Sequence, residues 1–445
     1  MELQKSPYTV DKLRGLIQFC LDEAKKQGST GVEASIDVEH GLSVTARLGD
    51  VETLENHNDR RLGVTVYANT KKGSSSTTDF ELPAVREAVT AACNIAKFTE
   101  ADECAGLADP DRMATSVMDL GLDCPWGLAP DEAVEIAVEC EDRAREFSEI
   151  SNSEGASIST NRGTHVYGNT HGFVGSYVST RHSLSCAVIA EQNGAMQRDY
   201  WYTTSRNPKD LQSAQDVGAQ AAQRTIRRLG AKKITTQTTP VIFEASMARS
   251  LLSHFVSAVS GGALYRQASF LLDQLNKKVF SDLVTITEDP HMQGGLGSSA
   301  FDMEGVATQP RTLVADGILQ GYVLSSYSAR KLGMKTTGNA GGIHNLVLHP
   351  GQQTLEELIS GMQRGLLVTE LIGLGVNNVT GDYSRGAVGY WVENGTIQYP
   401  VEEITVAGNL KSMFQKIIAI GCDVDRRGSI ITPSVLVDDM MVAGS

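Results

Sequence analysis

Short runs of alternating apolar and polar residues, arriving one after another without helices between them, constrain the fold of this chain most. From Val32 to Thr78 the pattern repeats every two residues between Gly, Asn and Asp turns, which is typical of an antiparallel meander. A second series of this kind covers 150–205. Consecutive strands pair as antiparallel neighbours, whereas a doubly wound sheet needs a helix between its strands. The sequence therefore predicts an α+β fold.

Helices are predicted at the ends of these strand series, where apolar residues recur every three or four positions. Pro130 and Asp131 are typical of a helix start, and Gly28 of a helix end. The predicted helices cover 11–28, 82–98, a segment from residue 130, 210–229 and 245–260.

With 445 residues, the chain is long enough for two or three domains. The Thr- and Lys-rich segment 230–240 is the best linker candidate. We predict an N-terminal α+β domain over 1–230, divisible into 1–128 and 129–230. A mainly antiparallel, strand-rich C-terminal domain is predicted over 231–445. Its strongest hairpin signals are Asp316-Gly317 and Asn394-Gly395, each between apolar runs.

Composition limits the partners of the chain. The formal net charge is -14, which argues against a direct nucleic-acid footprint or an anionic membrane surface. No stretch approaches the ~20 apolar residues of a membrane span, and Met1–Pro7 lacks a signal-peptide core. The seven cysteines form no CxxC pair and are interpreted as idle thiols in a reducing compartment. We therefore expect a cytoplasmic protein.

Two short motifs match catalytic patterns without the context that those patterns need. Gly295–Ala300 fits the dinucleotide fingerprint, but no strand precedes it and no helix follows, so a loop is predicted. Ser328 and Lys331 form SxxK, in which a lysine one helical turn away could deprotonate a serine. The Lys335–Gly338 segment lies too close for the arrangement of penicillin-binding enzymes. Serine hydrolysis is therefore disfavoured.

Histidines give little support for a metal site. Zinc hydrolysis needs three protein ligands and a carboxylate base, and the chain contains neither HExxH nor HExxxH. His165, His171 and His182 fall in one strand-rich region, but the glycines between them indicate turns. We interpret them as structural histidines.

Two glycine-rich polar loops in the last third are the best candidates for binding. The first, 338–345, ends in His344 and Asn345, and the second, 380–386, carries Asp382, Tyr383 and Arg385. Glycines let another backbone approach closely, which suits the binding of an extended peptide. The alternative is that both are tight turns, with Asp382 capping its own turn or pairing with Arg385.

In these loops and elsewhere along nearly its whole length, the chain resembles the TldD/PmbA family, and most of all its PmbA branch, also called TldE. The resemblance is carried by long, ordered segments in both halves: Gly49–Glu52, Leu62–Tyr67, Ser179–Ser185, Tyr265-Arg266, Phe270–Asp273, Ser326–Gly333, the His344 loop, Thr380–Gly386 and Val392–Gly395.

The resemblance implies a cytoplasmic metallopeptidase in which a TldD-type subunit and a PmbA-type subunit form a heterodimer around a shared chamber. It also implies a role in degrading unfolded peptides or maturing precursors such as microcins. In the family the TldD-type subunit holds the metal, expected to be zinc, through an HExxxH helix and a cysteine. Alone, the chain could form a homodimer.

The chain departs from the metal-binding pattern at the helix that looks equivalent. His254 occupies the first position, but Phe255 replaces the glutamate and Val259 the second histidine, and Cys422 lies too early for the cysteine. Phenylalanine cannot act as a base and valine cannot bind zinc. We expect no metal and no catalytic residue in this chain. Two alternatives stay open: a peptidase activity of its own, or regulation of DNA gyrase, an older family label.

Overall fold

The computed structural model describes residues 8–444, so Met1–Pro7 and Ser445, which belong to the predicted N- and C-terminal regions, lie outside the described residues. The N-terminal half is built on one six-stranded antiparallel sheet in the order β3-β2-β1-β4-β5-β6. Its strands are β1 (Gly31–Arg47), β2 (Asp50–Ala68), β3 (Lys71–Thr77), β4 (Ile150–Asn169), β5 (Val174–Gln192) and β6 (Ala195–Ser205). Its helices are α1 (Val10–Lys26), α2 (Leu82–Phe98), α3 (Pro130–Arg145) and α4 (Ala214–Ile226).

The length of these strands explains why two pairs of helices pack on one sheet. β1 has 17 residues, which at ~3.3 Å each span about 55 Å, roughly twice the length of a 17-residue helix. The even-numbered apolar residues of β1 all point to one face. Those from Val32 to Val38 pack with α1 and α2, and those from Leu42 to Ala46 pack with α3 and α4. One sheet face therefore carries two separate helical layers.

The same arrangement corrects the series of short strands predicted over 150–205, because this segment forms three long strands. The polar stretch Thr160–His165 reads as a break in the pattern, yet it continues β4 and pairs with Tyr177–His182 of β5. It lies between Ile158 and Val166, which belong to the two different helical layers. Because no apolar layer covers that point, the sequence there loses its alternation without ending the strand.

The C-terminal half contains a closed barrel and a smaller sheet. The barrel strands are β7 (Gln237–Phe243), β12 (Arg364–Ile372), β13 (Asp382–Glu393), β14 (Thr396–Asn409) and β17 (Val435–Ala443), with β15 (Ile417–Ile420) attached to β17. The smaller sheet holds β8 (Ile286–Glu288), β9 (Arg311–Ala315), β10 (Ile318–Leu319), β11 (Leu346–Leu348) and β16 (Ile430–Ile431). The helices are α5 (Ala245–Ala258), α6 (Gly261–Tyr265), α7 (Ser326–Lys331), α8 (Leu355–Ser360) and α9 (Leu410–Gln415).

Pairing of β17 with β14 closes the barrel, since β17 also pairs with β7 on its other side. Most pairings are antiparallel, but β7 runs parallel to β12, and β11 parallel to β16. The largest apolar cluster of the described residues fills this half and includes Phe255 of α5 and Trp391 of β13, each at most 1% exposed. The mixed α+β architecture predicted from the sequence is therefore confirmed.

The segment between the halves is shorter than the predicted linker. Residues 237–240 already belong to β7, and the backbone N–H of Lys232 donates to the carbonyl of Pro400. Ile234 is buried in the barrel core. Most Thr and Lys side chains of the segment are exposed, although part of its backbone is already paired.

Candidate functional site

A cleft of about 860 Å³ lies between β6 of the N-terminal sheet and the C-terminal half. Its walls come from β6, the loop 292–296, the start of α5 and the segment 423–431. The guanidinium of Arg427 lies 3.9 Å from the ring centroid of Trp201 and 4.5 Å from that of Tyr202. A cation stacked on aromatic faces forms a flat wall with both apolar and polar character.

Asp425 fixes the position of this arginine. Arg427 donates from Nε to Oδ1 and from Nη2 to Oδ2 of Asp425, both at 3.0 Å. A second arginine, Arg249, donates to Oδ2 at 2.9 Å. Burial alone would raise the pKa of Asp425, but the hydrogen bonds from Arg427 and the charges of both arginines outweigh it and lower the pKa. The carboxylate therefore stays ionised and holds both guanidinium groups.

Of the first predicted binding loop, Asn345 contributes to the wall of the cleft and His344 does not. The fully buried Asn345 amide donates to the carbonyl of Asp289 and to Oγ of Ser298, and its oxygen accepts from the N–H of Gly297. It therefore positions the backbone of the loop that borders the cleft. His344 is 9% exposed, and its ring is hydrogen-bonded to the carbonyl of Gly338 at 3.0 Å.

The second predicted loop lies elsewhere, at the start of β13, and its described hydrogen bonds share no partner with those of the first. Asp382 accepts from Oγ1 of Thr380 at 2.6 Å and from Nδ2 of Asn409 at 3.1 Å, and these bonds lower its pKa. This is the turn-capping alternative. Among the described residues no ion pair joins Asp382 to Arg385, which donates instead to the carbonyl of Leu371 at 3.2 Å.

Tyr383 and Arg385 stand two positions apart on β13, so they share one face of the strand. That face meets His254 of α5, whose ring centroid lies 6.1 Å from that of Tyr383 in an edge-to-face arrangement. Tyr383 is only 1% exposed and belongs to the barrel core. Its aromatic ring is therefore a core side chain, which the glycine-rich sequence around it did not indicate.

The environment of His254 does not suit a catalytic zinc ion. Phe255 and Val259 are apolar and fully buried, so neither side chain on this helix can supply a metal ligand. Burial, and then the positive charge of Arg385, lower the pKa of His254. Within residues 8–444 no group of three or more His, Cys, Asp or Glu side chains is placed to hold a metal ion. The donors present do not fit the metal site that the resemblance implies for the TldD-type subunit.

The SxxK pair is separated by its own hydrogen bonds. Lys331 donates from Nζ to Oδ1 of Asp102 at 2.9 Å, and this bond raises the pKa of the lysine. Ser328 is buried and belongs to the capping box of α7. The side chain of Ser325 accepts from the N–H of Ser328, and the side chain of Ser328 accepts from the N–H of Ser325. A charged lysine held away from a buried serine cannot act as its base, so the geometry offers no serine nucleophile here.

The three histidines of the N-terminal strands have structural partners or lie apart. His182 is buried and bonded to Thr160 and to the carbonyl of Cys124. His165 contacts Asp37 at 2.6 Å, and His171 lies in the turn after β4. The segment Gly295–Ala300 is a loop, as predicted, and borders the cleft.

Sequence reasoning missed the aromatic wall of the cleft. Trp201 and Arg427 are each unremarkable within their own segments, and they lie far apart in the sequence: the neighbouring pair Tyr202 and Arg427 is 225 positions apart. The run Tyr200-Trp201-Tyr202 and the pair Arg426-Arg427 were the available signals. Neither shows that the two segments meet.

The chain is a two-part α+β protein: an antiparallel sheet covered by two helical layers is joined to a closed barrel, with a cleft between them. Comparison with known protein families identifies the family to which this fold belongs. Models of the PmbA/TldA metallopeptidase match domain 1 over 32–96, the central domain over 123–229 and the C-terminal domain over 236–444. The chain belongs to this PmbA/TldD metallopeptidase family.

Individual relatives agree with this assignment. The chain is 48% identical to "Metalloprotease PmbA" of Escherichia coli O157:H7, over 94% of this chain and 93% of that protein. It is 28% identical to a "Metalloprotease TldD homolog" of Haemophilus influenzae over 53% of each chain.

Two solved structures share the fold. One, from Bacteroides thetaiotaomicron, carries the provisional name of a modulator of DNA gyrase, with a TM-score of 0.93 and 30% identity over 98% of this chain and all of that one. TldE from Thermococcus kodakarensis has a TM-score of 0.85 and 20% identity over 97% of this chain and all of that one, a likeness of fold alone.

Proposed function

We propose that this chain is the non-catalytic, peptide-binding subunit of a cytoplasmic metallopeptidase of the TldD–TldE type. The observation that carries the proposal is the state of α5, where His254 is left without a second ligand or a base and faces the cation Arg385. A positive charge beside a lone histidine opposes the binding of a metal cation. The zinc ion and the hydrolytic step would then belong to a TldD-type partner in a heterodimer.

The cleft between the two halves is the surface best suited to a peptide. At about 860 Å³ it falls within the usual size range of ligand sites. Trp201 and Arg427 offer a flat contact for side chains, while the loop 292–296, which Asn345 positions, brings backbone close to a bound strand. Substrates of this kind would be unfolded peptides or the precursors of matured peptides, such as microcins.

A peptide-cleavage assay tests the division of labour. We expect no cleavage by this chain alone, even with added zinc, and cleavage by a mixture with a TldD-type subunit. Trp201→Ala in this chain should lower the kcat/KM of the mixture for long peptides. Phe98→Ala, which removes an aromatic ring that is 89% exposed and outside the cleft, is the matched control. Zinc-dependent cleavage by the isolated chain would overturn the proposal.

Regulation of DNA gyrase is the second candidate, because a structural neighbour carries that provisional name. The net charge of -14 disfavours direct binding to DNA, so such an effect would act on the enzyme and not on its substrate. Titrating gyrase with the purified chain in a supercoiling assay separates this activity from proteolysis.

A further inference from the structure

Three polar groups that meet between α5 and β13 have no hydrogen-bond acceptor. Nε2 of His254, the hydroxyl of Tyr383 and Nε of Arg385 are all buried and lack a well-formed hydrogen bond. Buried polar groups are nearly always satisfied, so three together at one place call for an explanation. We name His254, Tyr383 and Arg385 the donor cluster.

The charge of the donor cluster is also uncompensated. No ion pair of the described part of the chain involves Arg385, which donates to the carbonyl of Leu371 at 3.2 Å and otherwise interacts with the hydroxyl of Tyr383. The neighbouring Asp382 is engaged by Thr380 and Asn409. A half-buried guanidinium without a counter-ion is costly unless something negative approaches it.

The geometry points to a carboxylate-binding site at the donor cluster, one that accepts a carboxylate group of a peptide, either its C-terminus or an Asp or Glu side chain. A guanidinium, a phenol and an imidazole each donate to a carboxylate, and charge-assisted bonds to it are the strong ones. His254 and Arg385 are each partly exposed, so the cluster lies just beneath the surface, with its three unpaired atoms and the ring of Tyr383 covered.

Loop 373–379 extends this site on the surface. It connects β12 to β13, and Val376 pairs with Tyr383. Leu374 is 91% exposed and Val379 is 53% exposed. An apolar rim beside a cationic donor cluster suits a peptide that places its carboxylate inward and an apolar side chain on the loop. This inference rests on the proposed function for its choice of a peptide as ligand.

Calorimetric titration of the full chain with matched peptides tests the site. The probes are acetyl-Ala-Ala-Ala with a free carboxylate, the same peptide as its amide, and acetyl-Ala-Glu-Ala-amide. We expect at least one carboxylate peptide to bind about tenfold or more tightly than the amide, since a hydrogen bond to a charged group contributes about 1.5–3 kcal/mol. The two carboxylate arms distinguish a terminal from a side-chain group.

Substitutions locate the binding. Arg385→Gln should remove the preference for the carboxylate, Arg385→Lys should retain part of it, and Tyr383→Phe should weaken it severalfold. Arg364→Gln, at an exposed arginine that stacks on Trp391 at the other end of the barrel hairpin, is the control. Equal binding of acid and amide, no binding of either with a Kd of about 1 mM or tighter, or a preference unchanged in Arg385→Gln and Tyr383→Phe would each overturn the inference.

The two proposals can fail separately. A chain that shows no carboxylate preference, yet supports cleavage when mixed with a TldD-type subunit, loses the donor-cluster site and keeps the proposed function. A chain that binds the acid and adds nothing to cleavage keeps the site and loses the proposed function.

Discussion

Tyr383 combines a buried ring with a hydroxyl that has no firm partner, and the two parts of the side chain have different consequences. The ring is 1% exposed in the barrel core. Burial raises the pKa of its hydroxyl to about 12, although Arg385 opposes the rise, so the phenol stays protonated and able to donate. Replacing Tyr383 and Arg385 together by alanine would therefore remove core packing as well as any binding contact.

Tyr383→Ala should lower the free energy of unfolding by about 3–5 kcal/mol, because it leaves a large cavity in the core. Tyr383→Phe should lower it by less than about 1 kcal/mol, since the hydroxyl has no bond of good geometry to lose. Urea denaturation followed by fluorescence measures both values. Ser384→Ala, at the exposed residue between the pair, is the control. A mild effect of the alanine variant would place the ring outside the core.

At the scale of elements, the two hairpins predicted from Asp316-Gly317 and Asn394-Gly395 are confirmed. Both residues of each turn have positive φ, at 47° and 78° in the first and 52° and 72° in the second. This is the local signal that two-residue hairpin turns require. Gly395 has a second constraint, because a Cβ there would lie 2.6 Å from the carbonyl oxygen of Ser360.

Gly395→Ala should therefore lower the free energy of unfolding by about 1–2 kcal/mol from the left-handed conformation alone, and by more if Ser360 cannot shift. Thermal unfolding followed by circular dichroism measures the change. The matched control is Gly15→Ala in α1, where a Cβ meets nothing within 4 Å and helix propensity favours alanine by about 0.5–1 kcal/mol. The two substitutions should shift the melting temperature in opposite directions.

Local sequence patterns predicted the helices and strands whose apolar residues keep a regular spacing. They failed for the strands in which that spacing is interrupted. The helices α2 and α3 begin where Leu82 and Pro130 indicated. β14 has the local pattern of two short strands, because Glu403, with φ of 52°, interrupts its alternation. β17 was not predicted, and Asp438-Asp439 divides its apolar residues in the same way. Barrel closure and the aromatic wall depend on contacts between distant segments, which no local pattern encodes.

At the scale of the whole molecule, a cluster of charged side chains joins the two halves. Arg228, just after α4, lies 2.7 Å from Oε2 of Glu370 on β12 and 3.6 Å from Oδ2 of Asp199 on β6. Arg224 of α4 reaches Glu244 at 3.1 Å. The cluster thus crosses the predicted boundary at residue 230, which itself stays a prediction. Because these ion pairs link the two halves, the cluster holds their relative orientation and therefore the width of the cleft.

Arg228→Met should lower the free energy of unfolding by about 3 kcal/mol, because it removes one partner of a buried ion pair. This value is at the low end of the usual range, since Arg224 remains to neutralise Asp199. The side chains of Arg228 and Asp199 are each 9% exposed. Arg198→Met is the matched control, since Arg198 and Glu154 form an ion pair that is 47% and 46% exposed, and such pairs contribute about 0–1 kcal/mol. Urea unfolding should separate the two variants clearly and should weaken the cooperativity between the halves only in Arg228→Met. Equal effects of the two substitutions would show that the cluster does not hold the halves together.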